Sequence, residues 1–346
     1  MSSSVNNKQT HINNFDFLRL LFASLVIVTH SYPLSGIPEE DILFRFSKGE
    51  TSLSGIGVAG FFVISGYLIS ISLLRSKSII GYFFKRIIRV FPALWVVVIF
   101  SILSGFFVSN KMAADYFSEP TVYKYLLTAF LHIQSFIPGV FADNPLHYIN
   151  GSLWTVPYEF LFYIMLSTTF FIKNLYHKKF ALLMIFTILF TARIFIHLPN
   201  NLELLSLSVN NICFLGLFFT AGALLSLFEL PSPKNRSNIF IALLIVLITI
   251  LIFSRFYFLG HIFILPPLII ALGSLNYPYL SWIRKYGDIS YGIYIWGFPV
   301  QQLLMHYFHF DQEKLLLSSL PITYLLGYLS WHLLEKRALR LKALYN

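Results

Sequence analysis

The stretch NFDFLRLLFASLVIVTHSYPL (residues 14–34) is long and apolar enough to cross a lipid bilayer as one helix. It nevertheless carries an arginine and a histidine, Arg19 and His30. Eleven residues at about 100° each end roughly 20° past three full turns, so both side chains lie on one face, roughly 16 Å apart along the axis. Ionisable residues inside a spanning helix are costly and usually mark a pathway or a site. The shared face therefore favours a functional role for both residues.

A purely structural interpretation of the same stretch is also possible. Arg19 would then extend toward the lipid headgroups, and His30 would cap the far end of the helix. Asp16 lies three residues before Arg19 on the same face, where it could hold the Arg19 guanidinium by an ion pair.

Composition places the whole chain among integral membrane proteins. Of its 346 residues, 57% are hydrophobic and only 12% are charged, and the mean hydropathy is +0.71. The single cysteine, Cys213, excludes a disulfide framework or a cysteine-based metal site within one chain. We find no Walker loop, HExxH or GxSxG motif, and we expect neither a metal nor a permanently bound cofactor. The first fourteen residues lack the features of a signal peptide, so the first helix should remain as an anchor.

Apolar stretches of spanning or near-spanning length predict an all-α bundle of about ten transmembrane helices, forming one domain over residues 1–346. They cover residues 15–34, 55–74, 88–108, 152–172, 180–198, 204–227, 239–254, 262–275, 290–307 and 315–334. The eighth is short and contains Pro266 and Pro267, so we expect it to be kinked or partly re-entrant.

The distribution of basic residues predicts the orientation. With residues 1–14 and 335–346 as cytosolic tails, seventeen of the 25 Lys and Arg residues fall in inner segments and six in outer ones. The net charge of +10 thus reflects membrane topology, and no soluble basic domain is present to bind nucleic acid. We expect a multi-pass protein of a bacterial-type cytoplasmic (inner) membrane, in contact with membrane lipid.

Further candidates lie near the ends of the predicted helices. Arg86 and Arg89 are i,i+3 neighbours that suit phosphate, although an ordinary lipid-binding basic cluster has the same composition. Glu159 and Arg193 occur at comparable depth in the fourth and fifth helices, where they could pair. For Ser65 and Tyr67, we favour a role in packing and hydrogen bonding between helices over a catalytic role.

Five short motifs together resemble the acyltransferase 3 family of ten-helix membrane acyltransferases, and the resemblance runs along the whole chain. The motifs are a D-x-x-R start with a basic residue and histidine eleven apart (Asp16, Arg19, His30), FF-x-x-SG-[FY]-L-I (Phe61 to Ile69), R-x-x-R-[IV]-x-P (Arg86 to Pro92), NGSLW-T-x-x-YE (Asn150 to Glu159) and ISYG-I-Y (Ile289 to Tyr294). Two positions depart from the family pattern. Gly297 stands where many members have histidine, and Arg337 replaces the proline of the usual E-K-P ending.

The resemblance implies transfer of an acyl group, most often acetyl from acetyl-CoA, to a hydroxyl of a surface carbohydrate such as a lipopolysaccharide or exopolysaccharide. His30 and Glu159 are then the expected catalytic residues, and Arg19, Arg86 and Arg89 the donor-binding residues. A neutral His30 could act as general base on the acceptor hydroxyl. Asp16, Ser65, Tyr67 and Arg193 would support the site, and Trp154 and Tyr158 offer flat faces for a sugar ring.

The rival hypothesis is a transporter or flippase for a lipid-linked sugar, with Arg19, Glu159 and Arg193 as pathway charges. Such carriers often contain inverted repeats and broken helices. We find no internal repeat in this sequence, which favours the enzyme.

Overall fold

The computed structural model describes residues 14–196, 199, 201–252, 256–275, 280 and 282–342, and these are mostly helical. The all-α class is therefore confirmed. The tail at residues 1–13, the last residues of the chain from 343 on, and the far ends of the segments expected at 180–198 and 239–254 lie outside the described residues.

The helices follow the expected apolar segments, with additional short helices in the connections. They are α1 (Phe15–Leu34), α2 (Ile42–Phe46), α3 (Leu53–Leu74), α4 (Ile79–Phe107), α5 (Ala113–Ser118), α6 (Pro120–Tyr125), α7 (Val156–Ser167), α8 (Leu175–Phe195), α9 (Val209–Leu225), α10 (Pro233–Ile252), α11 (Tyr257–Phe263), α12 (Leu265–Ser274), α13 (Ser290–Phe308), α14 (Gln312–Ser330) and α15 (Lys336–Arg340). Short 3₁₀ helices cover Leu126–Phe130, Gly151–Thr155, Thr168–Phe171 and Trp282–Tyr286, and a π-helical turn covers Trp331–Glu335. Strands β1 (Glu203–Leu204) and β2 (Leu207–Ser208) form a small antiparallel hairpin.

Four helical segments among the described residues are long and apolar enough to cross a membrane: α1, α3, α4 and the combined α11–α12 segment. These four identify a membrane protein, and the count of ten spans stays a prediction. The kink expected in the eighth segment is present, because the helix is interrupted at Ile264, directly before α12.

Helix α4 begins nine residues earlier than expected. The Ser78 side chain caps its start by accepting a hydrogen bond from Gly81 N at 3.1 Å, and the helix continues through Pro92. The basic stretch before Pro92 is therefore one continuous helix with the span, and it carries Arg86 and Arg89 on the first turns of α4.

Helices α3 and α9 cross with their backbones in contact. A Cβ atom added at Gly66 would lie 1.9 Å from Phe219 O, and one added at Gly222 would lie 2.0 Å from Val63 O. Only glycine fits at either position, as expected for glycine-mediated helix approach in membranes. Helix α1 packs on the other side of α3 and against α13, which in turn packs along α14. This arrangement brings together the N-terminal ends of α1, α4 and α13 and the C-terminal end of α14, and we call these four ends the inner ends.

Candidate active site

Arg19 takes part in a buried charge network at the inner ends of these four helices. Its Nη1 bonds to Asp288 Oδ2, and the same oxygen accepts a hydrogen bond from Arg89 Nη2 at 2.7 Å. Arg89 Nη1 pairs in addition with Glu335 Oε2 at 2.6 Å. Two guanidinium groups and two carboxylates thus neutralise one another and tie α1 and α4 to the start of α13 and the end of α14.

The suggested ion pair between Asp16 and Arg19 is not formed. Asp16 Oδ2 lies 3.5 Å from Arg284 Nε instead. The three-residue spacing placed both side chains on one face, but Asp288, in the loop directly before α13, contacts the Arg19 guanidinium instead.

Sequence reasoning missed Asp288 and Glu335 as site residues. Burial alone raises the pKa of Asp288, but the charges of Arg19 and Arg89, with a hydrogen bond from Ser290 Oγ at 2.6 Å, lower it to about 2. Asp288 is therefore ionised at neutral pH. Their position in the sequence could have identified them, because each acid lies directly at one end of an apolar segment.

Arg86 differs from Arg89 because no carboxylate in the described part of the chain contacts it. Its Nη2 donates to Ser72 Oγ at 3.3 Å, and its Nε is buried without a hydrogen-bond partner. Together with Lys85 and Lys342 it lines a cavity of about 300 Å³, into which Arg19 and Arg89 also project. Neither lysine pairs with an acid among the described residues. The mouth of this cavity therefore carries uncompensated positive charge.

Lys342 shows the electrostatic effect of that excess. Burial, together with the positive charges of Arg86, Arg89 and Lys85, lowers its pKa to about 8. A bound anion would relieve this repulsion.

Glu159 lines the same cavity and lies within a cluster of hydroxyl groups. Its Oε1 accepts hydrogen bonds from Ser65 Oγ at 2.7 Å and from Tyr163 Oη. The suggested pairing of Glu159 with Arg193 is wrong, because the Arg193 guanidinium lies over the Phe258 ring, 5.4 Å from its centroid. The two helices present these side chains to different neighbours despite their similar depth.

A second, smaller cavity of about 50 Å³ continues from the first. The two share Arg19, Phe61, Ser65, Glu159 and Tyr291 among their lining residues. The smaller one extends to Thr155 and Val156, at the start of α7. A continuous space therefore leads from the basic mouth past Glu159 to Thr155 and Val156.

His30 does not line either cavity. Its ring packs edge-to-face on Phe298 with centroids 5.3 Å apart, and its side chain is partly exposed. Neither ring nitrogen has a hydrogen-bond partner among the described residues. The structure thus brings Arg19 and Glu159 together and leaves His30 further along α1, with both nitrogens free.

The remaining candidates lie in two different surroundings. Tyr67 is buried and packs on the Phe15 ring, 5.4 Å between centroids, which agrees with a packing role. Trp154 and Tyr158 contact each other edge-to-face at 5.7 Å and line a separate cavity. No group of three or more His, Cys, Asp or Glu side chains in the described part of the chain is placed to hold a metal ion.

Comparison with known proteins decides the family. The family model described as "Acyltransferase domain" matches residues 12–333. The chain belongs to the acyltransferase 3 family. A protein of Shigella phage Sf6 named "O-acetyl transferase" is 34% identical over 339 residues, covering 94% of this chain and 96% of the relative. "Nodulation protein 10" of Rhizobium leguminosarum bv. viciae is 34% identical over 184 residues, covering 48% of this chain and 46% of the relative. No solved structure matches significantly.

This acyltransferase gathers all five family motifs around the two connected cavities. The first motif contributes Arg19, the second Phe61 and Ser65, the third Arg86 and Arg89, the fourth Glu159, and the last Tyr291 and Tyr294. Residues that are far apart in the acyltransferase sequence thus converge on one path. The convergence supports a shared site.

Proposed function

We propose that this protein is a membrane-bound O-acetyltransferase that moves an acetyl group from cytosolic acetyl-CoA to a hydroxyl of a surface carbohydrate. The observation that carries the proposal is the cavity with a cationic mouth, formed by Lys85, Arg86 and Lys342, that leads to the polar cluster around Glu159. The name of the Sf6 relative supports transfer of acetyl to oxygen.

The cationic mouth fits the phosphates of coenzyme A. Arg86 is suited to this contact because its Nε is unpaired and phosphate accepts bonds from a guanidinium fork. Arg89 already contacts two carboxylates, so we assign it to holding the wall of the donor site in place. Arg19 lines both cavities and lies beside the path of the acyl-bearing arm.

His30 is proposed as the general base. Its side chain lies roughly 16 Å beyond Arg19 along α1, within reach of an extended thioester arm that enters at the mouth. His30 takes the proton from the acceptor hydroxyl while the oxygen attacks the thioester carbonyl and forms a C–O bond. Collapse of the tetrahedral intermediate breaks the C–S bond, and the leaving CoA thiolate receives the proton. Glu159, which is held by Ser65 and Tyr163, is proposed to orient the arm between the two ends.

The proposed location is the bacterial inner membrane, with both termini and the cationic mouth in the cytosol. The excess of Lys and Arg in the inner segments supports this orientation. A reporter inserted at residues 76–78 should read cytoplasmic, and one inserted within residues 110–150 should read exterior. The reverse pattern would place the cationic mouth on the wrong side for acetyl-CoA.

The decisive experiment supplies radiolabelled acetyl-CoA to the purified protein in lipid, with surface glycan extracted from cells that lack the gene. His30→Ala should abolish label transfer, and His30→Lys should not restore it because an ammonium group cannot accept a proton. His177→Ala changes an exposed histidine and serves as the control. Full transfer by His30→Ala would refute the mechanism. In cells, a transporter variant would lose the glycan from the surface, whereas an acetyltransferase variant leaves it present and unacetylated.

A further inference from the structure

A third cavity, which we call the outer cavity, lies beside the start of α7 and has a volume of about 230 Å³. Trp154 and Tyr158 form one wall of it, with their rings edge-to-face at an interplanar angle of 75°. The β1–β2 hairpin and the segment at Leu131–Ile133 form the rest. Its volume is below the range of about 300–1,000 Å³ that is typical of drug-sized ligands, so it suits a single small cyclic unit.

The backbone around the outer cavity is strained. Six non-glycine residues in the described part of the chain have positive φ, and three of them line this cavity: Leu131 (φ 70°), Leu205 (φ 54°) and Ser206 (φ 61°). Leucine and serine pay a steric cost for this conformation, and such costs concentrate where surrounding structure and function require them.

Two of these strained residues form the turn of the hairpin. Leu204 pairs with Leu207, so Leu205 and Ser206 are the two loop residues. A two-residue hairpin loop with positive φ at both positions favours Asn-Gly or Asp-Gly, and a Leu-Ser pair is unfavourable there. Folding alone therefore does not explain the choice of side chains. Both of them line the cavity instead.

Polar atoms in the outer cavity are available for a ligand. The His132 ring and the Ser206 hydroxyl have no hydrogen-bond partner among the described residues, and both residues are exposed. Within the same described ranges, Asn211 Nδ2 makes one long contact of 3.5 Å, to Tyr158 Oη, and no hydrogen bond reaches Asn211 Oδ1. Flat aromatic faces beside unpaired donors and acceptors match a sugar ring, which has apolar faces and a hydroxyl rim.

The outer cavity and the proposed reaction path lie on neighbouring faces of the helical segment around Trp154–Glu159. Trp154 and Tyr158 face it, whereas Thr155 and Glu159, each one residue further on, line the smaller inner cavity. One residue rotates a helix face by about 100°, so the two spaces lie on adjacent sides of the same turn. Neither His30 nor Glu159 lines the outer cavity. A ring bound there is held close to the reaction path but is not the ring that reacts.

We infer that the outer cavity binds a sugar unit of the acceptor next to the unit that is acetylated, and that the Leu205–Ser206 turn selects that unit. This inference rests on the proposed carbohydrate acceptor. It makes the protein an enzyme for oligomeric or polymeric glycan, with the neighbouring unit contributing to acceptor binding.

The test uses glycan extracted from cells lacking the gene, both intact and cut to the shortest fragments that the wild-type protein still acetylates. The variant L205N/S206G keeps the turn and relieves its strain, so any defect does not come from unfolding. We expect its KM for intact glycan to rise about tenfold, with kcat and the KM for acetyl-CoA unchanged. The KM for the shortest fragments should not change. Trp154→Ala should show the same pattern.

Lys48→Gly is the matched control, since Lys48 has φ 55° and does not line the outer cavity. Its glycan kinetics should equal those of the wild type. An unchanged KM for intact glycan in L205N/S206G would overturn the inference. An equal rise of the KM for the shortest fragments would overturn it as well. So would a wild-type protein whose KM is the same for intact glycan and for the shortest fragments. If the wild type acetylates no glycan of either length, the proposed carbohydrate acceptor itself fails.

Discussion

Replacing Asp288 by asparagine tests whether the buried charge network holds the inner ends of the helices together. The Asp288 side chain accepts bonds from Arg19, Arg89 and Ser290, and its exposed fraction is 17%. Asparagine has nearly the same shape but lacks the charge and keeps only one acceptor oxygen. The change therefore leaves Arg19 without an anionic partner in a largely dehydrated position.

The expected loss follows from the surroundings of each guanidinium group. Removing one partner of a fully buried pair costs about 3–5 kcal/mol. Arg19 retains 22% exposure and Glu335 still pairs with Arg89, so we expect a smaller loss of about 2–3 kcal/mol in the free energy of unfolding. That loss equals roughly a 30- to 150-fold change in the folding equilibrium.

The assay is denaturant unfolding in lipid–detergent micelles, followed by tryptophan fluorescence. Asp311→Asn provides the control, because Asp311 also pairs with a cation, Lys314, but their side chains are 57% and 68% exposed. Asparagine keeps the helix cap at that position, so no measurable change is expected. Equal unfolding midpoints for Asp288→Asn and Asp311→Asn would refute the reasoning.

A double variant separates the lost pair from other effects of the substitution. Arg19→Gln combined with Asp288→Asn removes both charges together and leaves no unpaired guanidinium at Arg19. We expect the double variant to be less destabilised than the sum of the two single variants, with a coupling of about 1–3 kcal/mol. Strict additivity would show that Arg19 and Asp288 do not stabilise one another.

Three further outcomes follow from the donor site and the helix packing. Arg86→Ala should raise the KM for acetyl-CoA about tenfold to a hundredfold, because a charge-assisted phosphate contact is worth about 1.5–3 kcal/mol; unchanged donor kinetics would return this residue to a lipid-binding role. The pKa of Lys342 is about 8, so the lysine loses its charge as the pH rises through that value, and the KM for acetyl-CoA should increase between about pH 7 and 9. Lys342→Arg should flatten that pH profile, and a profile shared by both proteins would exclude Lys342 as its source. Gly66→Ala should lower the unfolding midpoint sharply, since the added methyl would lie 1.9 Å from Phe219 O, and a wild-type midpoint would contradict the close crossing of α3 and α9.

The membrane class, most helices and the convergent motifs could all be predicted from the sequence. Apolar length and the spacing of residues along a helix are local properties, and they located α1, α3, α13 and α14 to within a few residues. Composition alone identified the membrane protein, because a bilayer imposes the same requirement on every spanning segment. Family motifs indicated an acyltransferase before any contact was known.

Only the tertiary structure decided which charges meet. Arg19 bonds to Asp288, 269 positions away, rather than to Asp16 three positions away. Glu159 is held by Ser65 and Tyr163, whereas Arg193 contacts an aromatic ring. Sequence spacing gives the angle between two side chains on one helix, but not the rotation and depth of that helix relative to its neighbours. The same rotation and depth of the helices place His30 outside the two connected cavities. They also place the strained hairpin turn beside Trp154, so both features could be seen only in the folded chain.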